Sequence, residues 1–286
     1  MSTPAQKARV LIEALPFLKS FDRKVVVIKI GGSTMTDKNV LPSVIKDVAF
    51  LEQVGVYPIL VHGGGPRITD EMERRGLKAN FINGRRVTDE YVLEIAHKVL
   101  IDEISSNVVN LLEEAGAKAV PLNGRGSRFL QCEKRLVDGL DLGFVGEVTR
   151  VDAELAHRML LGGVIPVVAP IARDLNGQLY NINADTAAWN IAINAKAEKL
   201  IFLSNVPGIM RDKNDPKTLI SSVTIAGCRD LIKDGIISSG MIPKIEACVS
   251  ALEGGVASTH IISGLEKHSL LLEIFTPEGI GTQIKK

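Results

Sequence analysis

"KVVVIKIGGS", Lys24–Ser33, is an apolar, mostly β-branched run that admits one lysine and then ends in paired glycines. An unbroken run of this kind suits a parallel strand covered on both faces. Glycines directly after it let backbone N–H groups approach an anion with no Cβ in the way. The lysine is placed unusually. In the phosphate loop G-x-x-x-x-G-K-[ST] the lysine follows the glycines and opens a helix. Lys29 instead precedes Gly31 and Gly32 and closes the strand.

Outward from this stretch the pattern repeats. Apolar runs at Tyr57–Val61, Ala119–Leu122, Ile165–Val168, Leu200–Leu203 and Thr259–Ile262 read as further strands. Helical patterns lie between them at 41–54, 66–76, 88–115, 151–161, 184–195, 222–233 and 241–253. Such alternation predicts an α/β fold, an open and mainly parallel sheet sandwiched between helices, in two lobes. Ligands on these sheets gather outside the carboxyl ends of the strands.

Composition narrows the function. A net charge of +1 over 286 residues leaves no basic footprint for nucleic acid, and 4% aromatics leave little for base stacking. Three dispersed cysteines, Cys132, Cys228 and Cys248, suit neither a disulfide framework nor a cysteine-based zinc site. The longest apolar stretch, 162–172, falls short of the roughly 18 residues of a membrane span. The amino terminus has no signal-peptide core, so the expected location is the cytosol, with no membrane partner.

The strand exits carry the chemistry. "HGGGP", 62–66, puts three glycines before a proline that suits the first helical position, which again fits an anion at a helix start. His62 reads as a satisfied structural residue ahead of a catalytic base. In "GRRVTD", 84–89, Thr88 reads as a helix cap, and one of Arg85 and Arg86 is suited to clamp a carboxylate through paired hydrogen bonds. "NINAD" supplies Asn181, Asn183 and Asp185; Asp185 is either a helix cap or a partner for Lys29. The turn "SNVPGIM", 204–210, suits a base or ribose, and "SGMIPKIEA" sets Lys244 in the first turn of a helix. Ahead of all this, "STPAQKARVLIEALPFLKSF" predicts a helix capped at Thr3-Pro4 and kinked at Pro16. It either packs on its own domain or reaches another subunit.

These blocks together resemble the signature of acetylglutamate kinase, in the amino acid kinase family, over about residues 24–286. The resemblance implies an ATP-dependent kinase that phosphorylates the side-chain carboxylate of N-acetyl-L-glutamate, early in arginine biosynthesis. It makes Lys29, Lys244 and Asp185 catalytic. Gly64, Gly65, Arg86 and Asn181 become acetylglutamate contacts, with Arg86 rather than Arg85 at the carboxylate. Gly31 and Gly32, the turn Asn205, Val206, Pro207, Gly208, Ile209 and Met210, and Ile236, Ile237 and Ser238 match the ATP site. Magnesium is expected to ride on the nucleotide, without a dedicated protein metal site.

The amino-terminal helix and the block "HSLLLEIFTPEGIGTQI" are similar to features of arginine-inhibited members. They imply an arm of residues 1–23 in a ring-shaped homohexamer and an arginine site near His268, Glu273, Gly279 and Gly281. Residues 24–195 then form the acetylglutamate lobe and 196–286 the ATP and effector lobe. Two rivals stand beside this reading, a sibling kinase for an aminoadipate-type substrate and a non-catalytic regulatory module. Residues 124–144 read as a loop or hairpin that the resemblance does not align.

Overall fold

The computed structural model describes residues 3–122, 127–237 and 240–286. Helix α1 (Pro4–Phe21) opens the chain, with Thr3 and Gln6 exchanging the two hydrogen bonds of a capping box. It runs through Pro16 as one element. Strand β1 (Val25–Ile30) follows, then α2 (Gly32–Thr36), α3 (Leu41–Gln53), β2 (Tyr57–His62) and α4 (Gly65–Arg74). A small hairpin of β3 (Phe81–Ile82) and β4 (Arg85–Arg86) rises above them.

The helix predicted over 88–115 is divided. It is α5 (Glu90–His97), a π-helical stretch Lys98–Ser105, and α6 (Ser106–Glu114). Its cap is Asp89, whose carboxylate accepts from the Val92 amide, so the predicted cap moves one residue from Thr88. Thr88 instead turns inward, where its hydroxyl donates to the Arg86 carbonyl at 2.8 Å.

Next come β5 (Lys118–Leu122), β6 (Leu130–Val137), β7 (Leu140–Val151), α7 (Ala153–Leu161), β8 (Val164–Val168), β9 (Ile171–Arg173) and β10 (Leu179–Asn181). The chain finishes with α8 (Ala184–Asn194), β11 (Lys199–Ser204), β12 (Ser222–Thr224), α9 (Ile225–Lys233), α10 (Ile242–Glu253), β13 (Ser258–Ser263), α11 (Ser269–Phe275) and β14 (Thr282–Lys285). The first residues of the helix predicted at 222 are therefore an edge strand, paired with β14.

The central sheet has eight strands in the order β12-β14-β13-β11-β1-β2-β8-β5. Its pairs are parallel except β13 with β14. From β1 the chain extends the sheet toward β2, β8 and β5, then returns to add β11 on the other side. The topological switch therefore falls at β1, where open α/β sheets bind ligands. Of the segment 124–144, residues 124–126 lie outside the described residues; the rest contributes mainly a long hairpin, with β6 and β7 joining β9 and β10 in a small closed barrel. No helix among the described residues is long and apolar enough to cross a membrane.

Alternation along β1 builds both faces of the core. Val26, Ile28 and Ile30 pack toward α3, against Val44, Ile45 and Val48. Val25 and Val27 belong to the opposite layer with Ala187, Ala188 and Ile191 of α8. Lys29 is next in that second series. The strand period thus drives a lysine in under the start of α8.

Candidate active site

At that point the three predicted catalytic side chains meet. Lys29 Nζ lies 2.7 Å from Asp185 Oδ1, and Lys244 Nζ donates to Asp185 Oδ2 at 3.1 Å. Lys244 arrives from the first turn of α10 and also stands over the Phe202 ring at 4.9 Å. Phe202 is the register partner of Lys29 on β11, so the sheet itself aligns the two lysines. Asp185 is not the cap of α8. Asn183 takes that place, its side-chain oxygen accepting from the amides of Asp185 and Thr186, which leaves the Asp185 carboxylate free for the lysines.

Partial burial alone would push the Asp185 carboxyl up. The two ammonium groups outweigh that and hold it well below the usual carboxylate range. Burial pulls Lys29 below its ordinary value, with Asp185 opposing the pull. The result is a fixed anion between two cations with a net charge of one positive, set at the end of a strand.

Lys29 also lines a cavity of about 260 Å³. Gly64, Gly65, Arg86 and Asn181, the expected substrate contacts, line it too, together with Gly32 from the expected nucleotide set. The two glycine loops need their bareness for packing. A Cβ on Gly32 would come within 2.5 Å of Pro66 Cδ, and one on Gly64 within 2.6 Å of Leu100 Cδ2 in the π-helical stretch. Gly65 faces open space.

The Arg86 guanidinium donates to the Gly65 carbonyl and Thr69 Oγ, at 2.9 and 2.8 Å, and to Met72 Sδ at 3.1 Å. The Phe81 ring covers it at 4.7 Å. Asn181 donates to Thr88 Oγ1 at 3.2 Å, which ties the cavity wall to the Arg86 backbone. His62 is buried and neutral, its pKa pushed down to about 4 by burial, and its Nε2 sits 2.7 Å from Ser105 Oγ. It links a glycine loop to the π-helical stretch, away from any proton-transfer role.

A second, smaller cavity of about 80 Å³ is lined by Val206, Gly208, Ile209, Met210, Ile236 and Ile237, with Met241 near the start of α10. Thr282 fixes this turn by accepting from the Ile209 amide at 2.8 Å. Asn205 and Pro207 are on the same turn but outside that lining, and Gly31 is held away by donating to the Leu203 carbonyl. Ser238 lies outside the described residues.

A third cavity, about 220 Å³, gathers Glu273, Gly279 and Gly281 with two residues the sequence did not single out, Lys199 and His260. Lys199 Nζ lies 3.1 Å from His260 Nε2, which leaves the ring proton on Nδ1, facing Glu273 Oε1 at 2.5 Å. Burial raises the Glu273 carboxyl, but His260 and the amides of Ile280 and Gly281 outweigh it and lower the net value. Phe17 and Phe21 of α1 close one wall. His268 is elsewhere. It has a positive φ of 58° before α11, and its Nδ1 is 2.7 Å from Asp47 Oδ1 on α3. His260 was visible as a polar interruption of an apolar strand, but nothing local marked its partners.

A model for the amino acid kinase family matches residues 24–263 of this chain. The chain belongs to that family. An acetylglutamate kinase of Heliobacterium modesticaldum is 47% identical, with 98% of each chain covered. One from Thermoanaerobacter pseudethanolicus is 48% identical over 98% of this chain and 93% of its own. Within the family this chain groups with these kinases and is a phosphotransferase. Among solved structures, N-acetylglutamate synthase from Neisseria gonorrhoeae, in complex with coenzyme A and L-arginine, superposes with a TM-score of 0.85 at 27% identity. The match covers 98% of this chain and 65% of the synthase, so this chain spans under two thirds of that longer protein.

Proposed function

We propose that the protein transfers the terminal phosphoryl group of ATP to the side-chain carboxylate of N-acetyl-L-glutamate. The products are N-acetyl-L-glutamyl 5-phosphate and ADP, at an early step of arginine biosynthesis in the cytosol. The arrangement of Lys29, Asp185 and Lys244 beside the Arg86–Asn181 cavity carries this reading. Residues 24–195 supply the acetylglutamate site, and residues 196–286 the nucleotide turn and an effector site.

The chemistry suits the groups present. A substrate carboxylate with a pKa of about 4.3 is already ionised at neutral pH, so the nucleophile needs no base. The obstacle is repulsion between that carboxylate and a polyanionic triphosphate. Lys29 and Lys244, with N–H groups of the glycine loops, offset this charge as the phosphoryl group moves, and Asp185 keeps both lysines aimed. Among the described residues no three His, Cys, Asp or Glu side chains are grouped to hold a metal ion, and both Asp185 oxygens face lysines. In this reading magnesium enters with the nucleotide, as MgATP.

An ATP-dependent assay on acetylglutamate, followed by ADP release with and without arginine, tests the reading. No turnover on acetylglutamate would overturn it. Arg86→Lys should raise the acetylglutamate KM about 10- to 100-fold and spare the ATP KM, because lysine cannot hold a carboxylate through paired bonds. An effect confined to ATP would contradict the placement.

Regulation by arginine belongs to the same proposal. The third cavity presents the Glu273 carboxylate, suited to a guanidinium or ammonium, and α1 contributes Phe17 and Phe21 to its wall. On α1, Val10, Leu11 and Ile12 are each more than 60% exposed, an exposed apolar turn suited to burial against a second copy in a hexamer. Deleting residues 1–22 should leave an active, smaller oligomer with a weakened arginine response. A hexamer persisting by light scattering would remove the arm from the assembly.

A further inference from the structure

The two-residue strand β4 sends its arginines to opposite walls of the substrate cavity. Arg86 turns toward α4, where three of its five N–H groups are engaged by Gly65, Thr69 and Met72. Arg85 turns toward the barrel, the side of Val145, Asn181 and Ile182, and lines the same cavity. Its side chain is only 16% exposed, and its Nη1 is buried with no hydrogen-bond partner. Leaving a buried charged donor without a partner is expensive, so the guanidinium is under-satisfied where it stands.

Among the described residues its charge is only partly neutralised. Glu147 is the carboxylate paired with Arg85, at 3.9 Å from Nη2, and that same Oε2 is in contact with Arg135. One negative charge is thus shared by two guanidinium groups. The acceptors of Arg86 are all neutral. Arg85 and Arg86 therefore bring more positive charge to the cavity lining than Glu147, behind it, offsets. Burial and the nearby Arg135 charge both disfavour the cationic form of Arg85, in keeping with a site completed by an anion.

We infer that Arg85 is a second carboxylate-binding residue of the substrate cavity, its guanidinium donating to the α-carboxylate of acetylglutamate opposite Arg86. This rests on the substrate proposed above and deepens it. The two arginines close on the carboxylate from both walls, so recognition depends on a full negative charge at that position. A neutral carboxamide there would leave both guanidinium groups under-compensated, and the pair would act as a filter for the acid.

The test compares N-acetyl-L-glutamate with its α-carboxamide as phosphoryl acceptors, in the full-length enzyme. Arg85→Gln should raise the acetylglutamate KM about tenfold or more, leave the ATP KM unchanged, and cut the acid-over-amide ratio of kcat/KM at least tenfold. Arg85→Lys, which keeps the charge, should retain part of that ratio and serves if the glutamine variant does not fold. Glu147→Gln separates binding from bracing. Freed of its shared carboxylate, Arg85 should hold the substrate as well or better, so the acetylglutamate KM stays level or falls. An unaltered acid-over-amide ratio in both Arg85 variants would overturn the inference. So would a rise in KM on Glu147→Gln as large as that on Arg85→Gln, since Arg85 would then be a brace for the barrel. Wild-type enzyme inactive on acetylglutamate would sink the substrate reading itself and this inference with it. Active wild type with unaltered ratios would sink the Arg85 role alone.

Discussion

Lys244→Ala should lower kcat by about two to three orders of magnitude, with acetylglutamate binding retained. Lys244 stands at the start of α10, bonded to Asp185 and outside the lining of the cavity proposed for acetylglutamate. In the proposed reaction its charge meets the phosphoryl group in flight, and removing it would withdraw stabilisation made chiefly in the transition state. Lys29 differs, because it lines the cavity as well. Its loss should change KM and kcat together. Steady-state kinetics for both substrates, with calorimetric binding of acetylglutamate to the variant, decide the matter. A Lys244→Ala enzyme with ordinary turnover would take this lysine out of the mechanism.

Asp185→Asn should damage both the chemistry and the fold. The side chain is 17% exposed and faces two ammonium groups, themselves 10% and 13% exposed. Removing the anion leaves two like charges facing each other without compensation. Breaking a buried charge pair in this way destabilises by about 3–5 kcal/mol, with the lower end apt for a site that keeps some solvent contact. Turnover should fall at least about 100-fold, because neither lysine is then held on the path of the phosphoryl group.

The pH dependence has a definite sign. The native Asp185 pKa lies below the unfolded value of about 3.9, so the unfolded chain binds more protons in the window between them. The stabilisation is therefore complete above that window and fades as pH falls toward the native value. The difference in denaturation midpoint between wild type and Asp185→Asn should be full near pH 6 and shrink below pH 4. A difference that stays constant down to pH 3 would contradict the electrostatic account.

Several elements were legible without tertiary information. β1, β2, β8, β11 and β13 fall on the apolar runs that announce them, because a strand covered on both faces must be apolar throughout. The Thr3-Pro4 start of α1 follows from local capping chemistry. The barrel was less legible. Strands β6 and β7 carry charged and polar residues, Glu133, Lys134, Arg135 and Glu147 among them, because much of their surface is wet. Such a hairpin has no continuous apolar signal to distinguish it from a loop.

For the site, the residue types and their strand exits could be read from the sequence, but their mutual contacts could not. Asp185 stood open between cap and lysine partner until the fold gave the cap to Asn183. His268 and His260 were equally plain as letters. The β11–β13 pairing sets His260 diagonal to Lys199 and α11 lays Glu273 against it, while the entry to α11 carries His268 across to Asp47 on α3.

By itself, then, the sequence determined the parallel sheet, the glycine exits and the face on which Lys29 lies. Those depend on periods of two and 3.6 residues and on backbone freedom, which act within a few positions. Only the tertiary structure decided that Lys29, Asp185 and Lys244 share one ion-paired centre, and that Arg85 is left with a buried donor and no partner. Those facts join residues tens to hundreds of positions apart. They follow from strand order, register and the angle at which helices meet the sheet, which no local pattern encodes.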